Sequence, residues 1–132
     1  MGSNKESIEQ FGTRAPGVIT DPGDAGAIEA SGSGCVPIIS AGAETRTLAS
    51  PSRLGQEITL YFQTDGGNVV VTAADEINVT GNNTITLTTV DESITFRSVW
   101  IGDGFQWRVA WNDLNGADNG GTSDIGIGLS TV

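Results

Sequence analysis

ESITFRSVWIGDGFQWRVAW, residues 92–111, holds all three tryptophans and two of the four phenylalanines of the chain. At its centre Asp103-Gly104 is a hairpin signal, because a two-residue type I′ turn needs positive φ at both central positions and these residues tolerate it. Closing there sets Gly102 opposite Phe105, Trp100 opposite Trp107, Ser98 opposite Val109 and Phe96 opposite Trp111. The aromatics then share one face, with Arg97, Gln106 and Arg108 on the other, so turn chemistry and hydrophobic alternation agree. A loop one residue longer would set the tryptophan face of one arm against the arginine face of the other. Phe96, Trp100, Trp107 and Trp111 are therefore the expected core, and the rest of the chain must supply what covers them.

Upstream, residues 56–63 alternate in the same way, with Ile58, Leu60 and Phe62 on one face and Thr59, Tyr61 and Gln63 on the other. That is the period of a half-buried strand. Asp65-Gly66-Gly67 is expected to turn the chain into residues 68–74, where Val69 and Val71 continue the core face, and Gly81-Asn82-Asn83 into residues 84–90. The result is a meander of successive strands. Before it, Thr45, Thr47 and Leu48 suggest a short strand, while Pro37, which cannot donate to a ladder, places the strand of Cys35, Val36, Ile38 and Ile39 at an edge or a bulge.

Helical periodicity is nearly absent, and 19 glycines in 132 residues suit short strands with tight turns. The expected fold is a single all-β domain: an antiparallel β-sandwich or jelly-roll-like body over residues 28–111. Residues 1–27 are too poor in apolar side chains to fold alone and read as an extended N-terminal arm, with Ile8, Phe11, Val18 and Ile19 as its partner-binding residues. Residues 112–132 read as a flexible glycine-rich C-terminal tail, or as an added edge strand through Ile125, Ile127 and Leu129.

Sixteen acidic against six basic residues give a net charge of −10, which disfavours nucleic acid and anionic membrane as partners. No histidine and one cysteine, Cys35, leave no zinc site, no intrachain disulfide and no base for a Ser or Cys nucleophile. Cys35 is expected to be a small buried residue. The spacing of Asp113, Asn115 and Asp118 does not match a calcium loop, so no metal or cofactor is expected. Asp75-Glu76 and Asp91-Glu92 are sequence neighbours at strand starts, pointing to opposite faces, and read as solubilising turn charges in place of a glycosidase pair. Tyr61, facing away from its strand's apolar side, is a candidate glycan contact.

Three segments together, TRTLASP (45–51), LGQEITLYFQTDGGNVVVTAADEINVTGNNTITL (54–87) and ESITFRSVWIGDGFQWRV (92–109), resemble a small all-β virion module of tailed bacteriophages. Single-module proteins of that kind look like capsid decoration (cement) or head-fibre proteins. The resemblance implies a homotrimer and no catalysis, with the major capsid protein as partner and the capsid surface as location. Its alternative is a fibre adhesin that binds host glycans.

Overall fold

The computed structural model describes residues 17–77 and 82–114. Within them lie nine strands: β1 (Gly17–Val18), β2 (Gly26–Ile28), β3 (Gly34–Ile39), β4 (Glu44–Leu48), β5 (Glu57–Thr64), β6 (Val69–Ala73), β7 (Thr84–Leu87), β8 (Ser93–Trp100) and β9 (Phe105–Asp113). No helix occurs among the described residues, and the all-β class holds. The strands form a five-stranded sheet, β1-β3-β5-β8-β9, and a four-stranded sheet, β2-β4-β6-β7. Alternation works as the sequence suggests: Ile58, Leu60, Phe62, Ile94 and Phe96 of the first sheet and Leu48, Val69, Val71, Ile85 and Leu87 of the second are buried in one shared core.

The sheets are mixed, which corrects the antiparallel expectation. From β1 to β6 the chain crosses to the other sheet at each step, so neighbours β1–β3, β3–β5, β2–β4 and β4–β6 run parallel. Among the described residues only β5–β8, β8–β9 and β6–β7 are antiparallel. The Asp65-Gly66-Gly67 turn does not return the chain beside β5; it carries it over to β6 in the opposite sheet.

The physical cause is the stacking of corners. Asp24 Oδ1 accepts the Thr45 N–H (3.0 Å), which ties the β1–β2 corner to the start of β4. Ser40, in the β3–β4 corner, accepts the Gly66 N–H (3.0 Å) and donates to the Gly67 carbonyl (2.7 Å) in the β5–β6 corner. The approach is so close that a Cβ on Gly66 would lie 2.3 Å from the Ser40 carbonyl oxygen, and one on Gly67 2.3 Å from the Gly42 carbonyl carbon. Gly67→Ala is therefore expected to destabilise the fold by about 1–3 kcal/mol, the usual cost of forced overpacking. Gly42→Ala, where an added methyl meets nothing within 4 Å, should stay within about 0.5 kcal/mol. Urea unfolding of the two variants reads the difference.

The β8–β9 hairpin forms, but in another register. Trp100 pairs with Phe105, so the loop is residues 101–104, closed by a bond from the Ile101 N–H to the Gly104 carbonyl (3.0 Å). Gly102 takes the positive φ, +111°. Because this differs from the expected register by two residues, the faces are kept: Ser98 lies opposite Trp107 and Phe96 opposite Val109. A register shift between Thr95 and Phe96 then sets Trp111 opposite Thr95. That bulge adds one residue to β9 and moves Trp111 to the outer face.

Two of the four expected core aromatics are thus corrected. Phe96 and Trp107 are buried at 0% and 2% exposure, but Trp100 is 57% and Trp111 55% exposed. Trp100 sits next to the loop at the hairpin's end, stacked edge-on against Phe105 with ring centroids 5.3 Å apart.

β1 and most of β2 belong to the segment read as an arm, and in residues 17–27 the chain is already built into both sheets. Val18 is an exposed residue of β1, and Ile19 packs against the core. Pro37 lies beyond the two residues of β3 that β1 covers, next to a register shift between Ile38 and Ile39. Ile8, Phe11 and the segment 115–132 lie outside the described residues.

Candidate interaction surface

One cluster of ionisable groups, around Arg46, is engaged in holding the fold. Arg46, on the core side of β4 and 0% exposed, donates from Nε to Asp21 Oδ1 (2.7 Å) and from Nη2 to Asp21 Oδ2 (3.0 Å). The same Nη2 lies 2.9 Å from Glu44 Oε1 and donates to the Ile39 carbonyl (3.1 Å), while Nη1 donates to the Thr45 carbonyl. Asp21 also accepts the Ile39 N–H (2.9 Å) and the Gly23 N–H (3.2 Å). One fork thereby clamps the β1–β2 corner and the end of β3, in one sheet, to β4 in the other. Burial alone would raise the Asp21 carboxyl, but the bonds from Arg46, Ile39 and Gly23 outweigh it and hold the pKa below the ordinary aspartate value.

Sequence reasoning missed this clamp. The signal was there: in Thr45-Arg46-Thr47-Leu48 the outward threonines put the arginine on the same face as Leu48.

Of the acidic pairs, Asp75, Glu76 and Asp91 are exposed, as turn charges would be, and Glu92 alone is not. Glu92 is buried and accepts the Thr88 and Thr89 N–H groups (2.6 and 3.1 Å), so it caps a turn and is no solubilising charge. Asp91, at φ 76°, accepts the Tyr61 hydroxyl (2.5 Å). Asp75 takes the Ser50 hydroxyl. Gln56, buried, accepts from Ser52 and Arg53 and donates to the Ala30 and Gly32 carbonyls, pinning one loop to another. Among the described residues no group of three His, Cys, Asp or Glu is placed to hold a metal ion.

Several large apolar side chains are exposed among the polar ones at the surface. Val18, Leu54, Trp100, Ile101 and Trp111 are each more than two-fifths exposed. Tyr61 lies half-buried on the outer face of the five-stranded sheet, and the hydrogen bond to Asp91 raises its phenol pKa. Its hydroxyl proton is therefore committed to Asp91, leaving the ring as the part that can meet a ligand. Cys35 is on that same outer face, half-buried, and burial pushes its thiol up. This corrects the expectation of a core cysteine: β3 buries Gly34, Val36 and Ile38, and period-two alternation turns Cys35 outward.

Trp107 is the exception among the tryptophans. Its indole N–H donates to the Ala49 carbonyl (2.8 Å) beyond β4, so it joins the two sheets and its ring meets Phe96 at 6.4 Å.

Searches against protein-family models and against curated proteins return no match.

Proposed function

We propose that this chain is a non-enzymatic structural protein of a tailed-phage virion, a homotrimeric capsid decoration protein held on the outside of the head. The observation that carries the binding part is the exposure of two of the three tryptophans, 57% and 55%, since large exposed aromatics mark contact surfaces. The virion assignment rests on the resemblance of the segments 45–51, 54–87 and 92–109 to phage β modules, and the net charge of −10 suits a protein displayed on an outer surface.

The test is binding to capsids that lack the protein. Because Asp21 and the strands β1 and β2 are part of the folded body, the truncation must stop at residue 16. The full chain is expected to bind such capsids and raise their melting temperature, as any ligand selective for the assembled state does. The chain lacking residues 1–16 should keep its own unfolding midpoint and lose that binding. Full-length protein that neither binds nor stabilises capsids removes the decoration reading.

A second reading, a fibre adhesin for host glycans, has its own observation in the exposed Trp100 stacked on Phe105 at the hairpin end. A few copies per particle on the tail, in place of many on the head, would favour it, with Tyr61 as a further ring for a sugar to stack on.

A further inference from the structure

The outer face of the five-stranded sheet carries a row of side chains in register across all five strands: Val18, Cys35, Thr59, Thr95 and Trp111. No charge lies in it. Its two ends are the exposed ones, Val18 at 81% and Trp111 at 55%. In the middle, the Thr59 and Thr95 hydroxyls bond each other at 2.7 Å, so each has a partner before any ligand arrives.

Charges flank the row on either side. One neighbouring row holds Glu57, Arg97 and Arg108, with Arg97 bonded to Glu57 (2.8 Å) and Arg108 lying at the β9 edge, where it donates to Gln106 (2.9 Å) and to the Trp107 and Glu76 carbonyls (3.0 and 3.5 Å). The other holds Tyr61, Ser93 and Asp113, with Asp91 at its rim under the Tyr61 hydroxyl. Two arginines stand against three carboxylates, so this face carries one of the ten net negative charges of the chain. Copies of a protein with charge −10 repel each other, and least so at a nearly neutral patch. One end of the patch is cationic and the other anionic, so a second copy laid on it with strands reversed sets Arg97 and Arg108 over Asp91 and Asp113.

We propose that the outer face of the five-stranded sheet is the surface through which copies of this chain associate, uncharged row against uncharged row and arginine end against aspartate end. The contact deepens the homo-oligomer reading of the previous section by naming the surface. Its pairing of unlike ends suits a ring of three as well as a two-fold pair, so it rests on association and not on the number of copies.

Light scattering on the full-length protein at high micromolar concentration is the test, with Trp111→Glu and Val18→Glu as variants. Both side chains are exposed, and far-ultraviolet circular dichroism verifies that each variant is folded. The wild type is expected at a multiple of 13.6 kDa and both variants at the single-chain mass. Cys35, half-buried on this face, should react with a maleimide several-fold faster in the variants than in the wild type. An oligomer that both substitutions leave intact, with Cys35 equally reactive throughout, overturns the proposed surface while the homotrimer reading stands. A monomeric wild type overturns both, and one whose Cys35 becomes protected on adding neutral oligosaccharides assigns the face to the adhesin reading instead.

Discussion

Trp107→Ala is expected to lower the unfolding free energy by about 3–5 kcal/mol, the range for truncating a buried aromatic. Two losses combine in it. The ring is 2% exposed and packs on Phe96, so its removal leaves a cavity between the sheets. The Ala49 carbonyl, beyond β4, also loses the indole N–H that reaches it at 2.8 Å. Trp107→Phe restores most of the volume but not the donor and should fall between the variant and the wild type. Trp100→Ala and Trp111→Ala are the internal controls: both rings are more than half exposed, so each should cost under about 1 kcal/mol. Urea unfolding followed by far-ultraviolet circular dichroism measures all four without relying on tryptophan emission. Equal costs for the three alanine variants would contradict the observed register of the hairpin.

Breaking the Arg46 clamp is the second large effect. Arg46→Ala leaves Asp21 and Glu44 facing each other with no cation between them, and removing one partner of a buried ion pair costs about 3–5 kcal/mol. Arg46→Lys should recover only part, because a single ammonium cannot span both Asp21 oxygens as the fork does at 2.7 and 3.0 Å. Arg97→Ala, whose partner Glu57 lies in an exposed pair, is expected to cost about 0–1 kcal/mol.

The pH dependence follows from the same clamp. Asp21 has its folded pKa depressed below 3.8, so its contribution is fully present above pH 3.8 and is lost as pH falls through the folded value. Acid unfolding of the wild type should steepen below that point, and Asp21→Asn should flatten the profile there. An Asp21→Asn profile parallel to the wild type between pH 4 and 2 would mean that the carboxylate is not what the clamp depends on.

Much of the local structure was legible in the residues. Alternation in residues 56–63 marked Ile58, Leu60 and Phe62 as core, and all three are 0% exposed. The hairpin was legible too, because a turn-forming centre between two alternating arms has few other solutions. Its exact closure was not: Gly102 and Asp103-Gly104 both suit a tight turn, and the two choices differ by two residues, a step that leaves the buried face unchanged. Trp111 was misplaced by a single extra residue in β9, a bulge that carries no strong signal of its own.

The sequence by itself determined the all-β class, the buried face of most strands and the pairing of β8 with β9, because period-two alternation and turn chemistry act over a few neighbouring residues. Only the tertiary structure decided that β1 to β6 cross between sheets and pair in parallel. Each corner's choice between returning and crossing depends on corners some twenty residues away: Ser40 against Gly66 and Gly67, and Asp21 against Ile39 and Arg46. Those are non-local contacts, and alternation, which says that a strand has a buried side, is silent on which strand lies beside it.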